Sequence, residues 1–292
     1  MTSAIRTSLV FSALMGASFV TAAAPLSLEM YNPGEKSIFP VSSEIISGKN
    51  EVVLIDAQFQ KDDAQVLADK IRATGKTLTT IYISHSDPDF YFGLDELKKA
   101  FPQAKIVATP QTVALIKESK DGKLAYWGPV LKENAPQSII VPEPLEGNRI
   151  MLEGESILIE GLNSPAPERS YVWVPSLSAV MGGVLVSENI HVWLADTQTP
   201  ESRQYWQQSL KSMQDKHPAT VVPGHYVGNS DFSPAAITFT ADYLTRAETA
   251  LKESKDSQQM ISTLKAAYPA LADESSLELS AKVLKGEMRW PQ

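Results

Sequence analysis

The stretch from residue 51 to residue 108 constrains the fold most, because β-branched strands and amphipathic helices alternate along it. Residues 51–57, 78–83 and 105–108 are apolar runs that predict strands. Apolar residues recur at helical spacing over 62–74 and 87–100. The order strand, helix, strand, helix, strand is typical of a layered α/β protein.

The remaining sequence adds a hairpin strand, an antiparallel group of strands and further helices. Residues 41–46 predict a strand that pairs with 51–57 across a Gly-Lys-Asn turn. A helix is predicted over 112–134 with a break at Asp121-Gly122, followed by strands at 139–141, 149–152, 156–161, 171–174 and 179–186. The prediction continues with a helix at 200–215, a strand at 219–222 and a helix at 234–253.

We predict one domain over residues 25–255 and a helical extension over 256–292. The extension is too short to bury a core of its own, so we expect it to pack on the domain. Residues 1–24 have the order of a secretory signal peptide: Arg6, an apolar run over 9–20 and small residues over 21–24. The run is shorter than the roughly 20 apolar residues of a membrane helix.

The leader and the composition together predict the compartment and limit the partners. We expect a periplasmic or secreted protein with no stable membrane anchor after cleavage. The formal net charge of −8 argues against nucleic acid and leaves a small molecule as the expected partner. The chain has no cysteine, so a transition metal would have to be held by carboxylates and the four histidines, His85, His191, His217 and His225.

The densest polar cluster, residues 84–89, lies between an apolar strand and a helix, where layered α/β proteins often place ligands. His85, Asp87 and Asp89 alternate along it and can converge on one site. A structural interpretation competes for the carboxylates, since Asp87 is a good N-cap and Asp89 would complement the positive helix end. A helix start does not require the imidazole of His85.

A second signal is His225, which follows an apolar strand and a Pro-Gly turn. Between the two signals, His191 and Asp196 flank Trp193. They are candidates to orient ligands or substrate, or to bond turn backbone. His217 lies at a predicted exposed helix end and is not a site candidate.

These residues resemble the metallo-β-lactamase superfamily from about residue 38 to residue 244. Leu54-Ile55-Asp56 resembles its early strand-Asp element, and residues 83–90 fall where it has His-x-His-x-Asp-His. Gly183-Val184 falls on its Gly-Asp, residues 191–196 resemble the loop that follows, and Pro223-Gly224-His225 matches its last ligand motif. The resemblance implies a four-layer αββα sandwich, here with a C-terminal helical extension.

The ligand set carried over from the resemblance is incomplete. His85, Asp89 and His225 match ligand positions, whereas Asp87 stands in place of a histidine. Phe90 and Val184 replace two further donors, and no histidine occurs around residues 163–165 where the family has one. The resemblance therefore implies at most one divalent metal ion, zinc or alternatively manganese or iron, on His85, Asp89 and His225 with Asp87 as a fourth ligand.

Two functions follow as hypotheses. The first is a hydrolase of a small ester, lactone, amide or phosphoester that uses one metal-activated water, with Asp89 or Asp87 as catalytic proton acceptor. The second is a non-catalytic ligand-binding protein on a decayed metallo-hydrolase scaffold, in which an apolar pocket is lined by Phe90, Tyr91, Phe92 and Trp193. An iron-dependent sulfur oxygenase of the same superfamily fits less well, because its iron ligands do not fall on the retained positions.

Overall fold

Two β-sheets form the centre of the fold in the computed structural model, which describes residues 25–290. The predicted signal peptide over residues 1–24 lies outside the described residues. The first sheet has six strands that neighbour one another in chain order: β1 (Ser27–Tyr31), β2 (Ser43–Ser47), β3 (Glu51–Ile55), β4 (Thr77–Ile83), β5 (Lys105–Ala108) and β6 (Glu143–Pro144). Strands β3 to β6 run parallel, so their carboxyl ends share one edge of the sheet.

The second sheet has the strand order β12-β10-β9-β8-β7. Its members are β7 (Arg149–Leu152), β8 (Glu155–Glu160), β9 (Tyr171–Val174), β10 (Ala179–Met181) and β12 (Thr220–Val221). The meander from β7 to β10 is antiparallel, and β12 joins β10 in parallel. A separate parallel pair, β11 (Ser187–Glu188) and β13 (His225–Tyr226), lies beyond the sheet ends.

Eight α-helices and three short 3-10 helices connect these strands in the described part of the chain. The α-helices are α1 (Lys61–Ala73), α2 (Pro88–Tyr91), α3 (Leu94–Ala100), α4 (Pro110–Leu131), α5 (Pro200–Gln214), α6 (Ala235–Glu253), α7 (Ser257–Ala267) and α8 (Glu274–Leu284). The 3-10 helices are Gly34–Lys36, Lys132–Asn134 and Pro175–Leu177. No helix among residues 25–290 has the length and apolarity to cross a membrane.

Three separate apolar clusters show that the sheets and helices form four layers. One cluster lies between the sheets, where Ile46 and Ile55 of the first sheet meet Ile157 and Val172 of the second. A second cluster packs α1, α3 and α4 on the outer face of the first sheet. The third packs α5 to α8 on the outer face of the second. The αββα sandwich predicted from the sequence is therefore confirmed.

The C-terminal helices are part of the third cluster. Met260 and Leu264 of α7 and Leu277 of α8 are buried in the same group as Tyr243 and Leu244 of α6. The predicted helical extension is present and lies against the helical layer of the second sheet.

Four element predictions were wrong in detail. The single helix predicted over 87–100 is divided into α2 and α3. Helix α4 continues through Gly122 without the predicted break, and it begins at a Thr109 N-cap that accepts from the Thr112 amide. The strand predicted at 139–141 is loop, and pairing with β5 begins only at Glu143. The strand predicted at 179–186 ends at Met181, because Gly182 and Gly183 adopt left-handed φ angles of 75° and 76°.

Glu44 is a buried carboxylate in the middle of the fold. It lies on β2 and shares a face with Ile46, which packs between the sheets. Both carboxylate oxygens are buried and have no hydrogen-bond partner among the described residues. Burial raises the pKa of Glu44 well above its ordinary value, and the nearby Asp56 charge adds to the effect.

We predict that Glu44 makes the protein less stable as the pH rises. A raised native pKa means that the folded chain keeps a proton which the unfolded chain loses above its ordinary value of 4.5, so stability is lost from there upward. Residue 44 releases no proton on unfolding in the Glu44→Gln variant. The unfolding free energy of this variant should therefore decline less between pH 5 and 8, with a gain of about 1–3 kcal/mol over wild type at pH 8. Urea denaturation at each pH measures the effect.

The matched control is Glu143→Gln, which changes an exposed glutamate on another strand of the same sheet. It should leave the pH profile unchanged. A wild-type unfolding free energy that rises between pH 5 and 8 relative to Glu44→Gln would contradict the prediction.

Candidate functional site

A buried hydrogen-bond chain joins the ends of three strands at one edge of the sandwich. Asp56 follows β3 and accepts from the Ser84 amide at 2.8 Å and from the Ser84 hydroxyl at 2.6 Å. The Ser84 oxygen in turn accepts from the Gly183 amide at 2.7 Å. Residues 84 and 183 directly precede His85 and Val184, so this chain fixes two of the loops that carry site residues.

This hydrogen-bond chain holds Asp56 in an unusual backbone conformation and in a buried environment. Its backbone has a left-handed φ of 62°, and its side chain is fully buried. Burial raises the pKa of Asp56 to about 7, with the Asp89 charge in support, although the Ser84 and Gly183 hydrogen bonds work in the opposite direction. The carboxylate is therefore a structural anchor with a perturbed proton affinity and does not line the pocket above it.

Two glycines bring the His225 loop against this anchor. A Cβ on Gly224 would overlap the Gly183 carbonyl oxygen, and a Cβ on Gly183 would lie 2.8 Å from the Ser170 carbonyl oxygen. The Gly224 amide donates to the Val186 carbonyl at 2.9 Å. Only glycine allows this approach, so the Pro-Gly turn before His225 is a packing requirement as well as a turn signal.

His85 and Asp87 form one local group with a lysine from another helix. The Asp87 carboxylate lies 3.2 Å from His85 Nδ1 and 3.2 Å from the Nζ of Lys123 on α4. Lys123 also donates to the Ser86 carbonyl at 2.8 Å. Burial alone would raise the pKa of Asp87, but the His85 and Lys123 contacts outweigh it and hold that pKa well below its usual range.

The structural interpretation of Asp87 as a helix cap does not hold. Asp87 occupies the N-cap position of α2, yet its side chain makes no capping hydrogen bond. The carboxylate turns instead toward His85 and Lys123.

Asp89 and His225 form a second pair. Asp89 Oδ2 lies 2.7 Å from His225 Nε2, across 136 residues of sequence. Burial alone would lower the pKa of His225, but the hydrogen bond and charge of Asp89 outweigh it and raise that pKa. The imidazole of His225 and the carboxylate of Asp89, both at positions that match family ligands, are thus hydrogen-bonded to each other.

Phe90 lies between the two pairs. Its ring centroid is 5.7 Å from that of His85 and 5.4 Å from that of His225, both in edge-on arrangements. The fold therefore places His85 and His225 against the same apolar ring. Val184 is the other apolar side chain at a family ligand position, and it borders the pocket.

These residues do not fit a metal ion in the arrangement described. Within residues 25–290 no group of three or more His, Asp or Glu side chains is placed to hold one ion together. The ammonium of Lys123 already neutralises Asp87, and Asp89 already contacts His225 Nε2. The single-metal site on His85, Asp87, Asp89 and His225 stays a prediction.

A pocket of about 620 Å³ opens above the two pairs. Helix α4 forms one wall with Lys123, Tyr126 and Trp127, which share a helix face through their spacing. Aromatic side chains make up much of the lining: Phe39, Tyr126, Trp127, Trp193, Trp206 and Trp290. Asp87, Asp89 and His225 form part of its floor, whereas the buried His85 lies beneath.

Of the predicted apolar wall, only Trp193 lines this pocket. Phe90, Tyr91 and Phe92 are buried in the core on the outer face of the first sheet, so that part of the prediction was wrong. Residue 90 is followed at once by two more aromatics, and the whole of the short helix α2 is buried. Phe90 contacts the imidazoles and not the pocket space.

His191 and Asp196 both line the pocket and bond side chains, not turn backbone. His191 is buried and its Nδ1 lies 3.0 Å from the Tyr243 hydroxyl. Asp196 accepts from the indole nitrogens of Trp193 at 2.5 Å and Trp290 at 2.7 Å. Asp196 therefore positions two indoles of the pocket wall. His217 is exposed on the surface, away from the pocket.

Two cationic pocket residues were missed by the sequence analysis: Lys123 and Arg169. Lys123 lies 36 residues from its partner Asp87, on a helix whose polar residues have no distinctive spacing. Arg169 lies in the loop between β8 and β9, and no motif in that loop marks it. Only the folded arrangement brings either residue to the pocket.

The family assignment is shown by sequence. The profile of the metallo-beta-lactamase superfamily matches residues 38–225, well over half of the chain, and the protein belongs to that superfamily. It therefore has the scaffold on which metal-dependent hydrolases are built. An uncharacterised protein of Bacillus subtilis, YobT, is 26% identical over 126 residues, which are 41% of this chain and 50% of YobT. The chain thus spans about half the length of this curated relative.

Solved structures support the same fold. A metallo-beta-lactamase family protein from Thermus thermophilus has a TM-score of 0.61 at 16% identity, covering 89% of this chain and 92% of that one. A metallo-beta-lactamase from Pontibacter korlensis has a TM-score of 0.55 at 15% identity, covering 77% and 96%. At these identities the likeness concerns the fold alone.

We predict that the wild-type chain retains well below one equivalent of zinc after equilibration and gel filtration, because its donors are paired internally. The triple variant Asp87→His, Phe90→His and Val184→Asp supplies three of the four missing donors and removes the partner of Lys123. Its zinc content should rise toward two equivalents, measured by elemental analysis.

The control adds His225→Ala to the triple variant, which should lower the zinc content again. A wild-type chain that holds a full equivalent, and loses it in His225→Ala alone, would contradict the prediction and support the single-metal site.

Proposed function

We propose that this protein binds a small, largely apolar molecule in the aromatic pocket, on a metallo-β-lactamase scaffold whose metal centre has been replaced by internal side-chain pairs. The proposal rests on one observation: the charged side chains at the floor of the aromatic pocket are paired with one another. Asp87 is neutralised by Lys123 and lies against His85, and Asp89 is paired with His225.

The size and lining of the pocket support this function. Ligand pockets in proteins span roughly 300–1,000 Å³ and are mostly apolar with a few oriented polar groups. The volume of about 620 Å³ lies within that range. The indoles of Trp193 and Trp290 meet edge to face at 5.4 Å, and Asp196 accepts a hydrogen bond from each, which orients one wall of the pocket before a ligand arrives.

The competing function is the hydrolase of a small ester, lactone, amide or phosphoester. One specific observation favours it: Asp89 and His225, two matched ligand positions, do line the pocket, and His85 lies just below Phe90. In the described arrangement Asp89 contacts His225, and His85 contacts Asp87. The zinc content of the wild-type chain distinguishes the two functions.

Export to the periplasm or medium remains part of the proposal, and it rests on the order of residues in the predicted leader. A ligand-binding protein in the periplasm or medium would have access to small molecules from outside the cell. N-terminal sequencing of the mature protein near residues 23–25 would test the cleavage.

We predict that the protein binds N-phenylnaphthylamine, an uncharged aromatic probe, with one site per chain. Trp193→Ala removes an indole from the pocket wall and should weaken binding by about 10-fold. Probe fluorescence and titration calorimetry measure the affinity and the stoichiometry.

Trp173→Ala is the matched control, because Trp173 is also half-buried but lies outside the pocket. It should leave the affinity within about twofold of the wild-type value. No saturable binding to the wild-type chain, or equal losses in both variants, would contradict the proposed function.

A further inference from the structure

Arg169 is a buried cation that has no salt-bridge partner among residues 25–290. It retains only 9% of its accessible surface, and it lines the pocket. Its Nη1 atom is buried and has no hydrogen-bond partner among residues 25–290. No carboxylate among those residues lies within salt-bridge distance of its guanidinium, although the other buried arginine, Arg203, pairs with Glu248.

This state costs free energy in the unliganded protein. A buried charge is expensive unless it is paired and hydrogen-bonded. Burial lowers the pKa of the Arg169 guanidinium, while the charges of Asp196, Asp87 and Glu168 oppose the shift. The guanidinium is held by stacking, with its central carbon 4.8 Å from the ring centroid of the buried Trp206.

Two of the three neighbouring acids, Asp87 and Asp196, are already engaged elsewhere. Asp87 contacts His85 and Lys123, and both oxygens of Asp196 accept from indole nitrogens. The charges of these carboxylates oppose the lowering of the Arg169 pKa, but none of them accepts from its Nη1 atom. A planar guanidinium offers five donors in a fork that matches a carboxylate or a sulfonate.

We propose that Arg169 binds the anionic group of an organic anion whose apolar part lies against the aromatic wall formed by Trp127, Trp193 and Trp290. The inference rests on the proposed function, since it names the chemical class of the ligand that the pocket takes. A ligand anion would supply the partner that the described residues do not, and its binding would offset the cost of burying the guanidinium.

A purely structural role for Arg169 is the competing explanation. Its stacking on Trp206 would then be the reason for the arginine, and the guanidinium would have no effect on ligand choice. The two explanations differ in whether a change at residue 169 alters affinity for anions alone or for all ligands equally.

The test compares two probes that share one ring system. Anilinonaphthalene sulfonate carries a sulfonate on the skeleton of N-phenylnaphthylamine, so their affinities isolate the contribution of the negative charge. Wild-type protein should bind the sulfonate more tightly than the neutral probe by about 10-fold or more, at one site per chain in titration calorimetry. The two probes should compete with each other.

Arg169→Gln should abolish this preference, weakening sulfonate binding by about 10- to 100-fold while the affinity for the neutral probe stays within about twofold. Arg169→Lys keeps the charge but loses the fork, so an intermediate loss is expected. Arg149→Gln is the matched control, because Arg149 is exposed on β7 outside the pocket. Retained binding of the neutral probe also shows that each variant is folded.

Two results would overturn the inference separately from the proposed function. If the neutral probe binds but the sulfonate has no advantage, or keeps its advantage in Arg169→Gln, the anion site is wrong and the apolar pocket stands. If neither probe binds the wild-type chain, the proposed function fails and the anion site fails with it. Should Arg169→Gln not fold, the sulfonate preference of Arg169→Lys decides: an undiminished preference contradicts a bidentate anion contact.

Discussion

The hydrogen bonds from Ser84 to Asp56 and from Gly183 to Ser84 are the constraint on which the rest of the site depends. They join the ends of β3, β4 and β10, and so they connect the first sheet to the second. The loops that carry His85 and Val184 leave directly from this chain, and Gly224 packs on Gly183 to bring His225 alongside. The anchor is fully buried and does not itself line the pocket.

The side chains at the ligand positions around this anchor lie in two internal pairs, His85 with Asp87 and Asp89 with His225. A cluster of carboxylates and imidazoles must be neutralised when no ion does so. Lys123 supplies a positive charge to Asp87, and Asp89 takes His225 as its partner. Phe90 then separates the two pairs with an apolar ring that contacts both imidazoles. The pocket thus has paired acidic side chains at its floor and aromatic side chains in its walls. Arg169 is a pocket charge that has no salt-bridge partner among the described residues.

The sequence predicted the fold well because its evidence was local: β-branched runs and helical spacing placed most strands and helices, and ordered motifs indicated the superfamily. The same motifs indicated His85 and His225 as residues of one site, and both rings lie against Phe90. It could not predict Lys123, Arg169 or Trp290 in the pocket, since these residues reach it through tertiary packing from a helix, a loop and the C-terminal end. The break expected at Gly122 failed because packing and the Thr109 cap outweigh the weak preference of one glycine.

Anomalous diffraction at the zinc edge, from crystals grown with excess zinc, tests most directly whether the metal centre has been replaced. We expect no peak between His85, Asp89 and His225, with the Asp87 carboxylate still on Lys123 and Asp89 still on His225. A strong peak coordinated by Asp89 and His225, with their mutual hydrogen bond broken and Asp87 turned away from Lys123, would contradict the replacement of the metal centre. It would support the metal-dependent hydrolase instead.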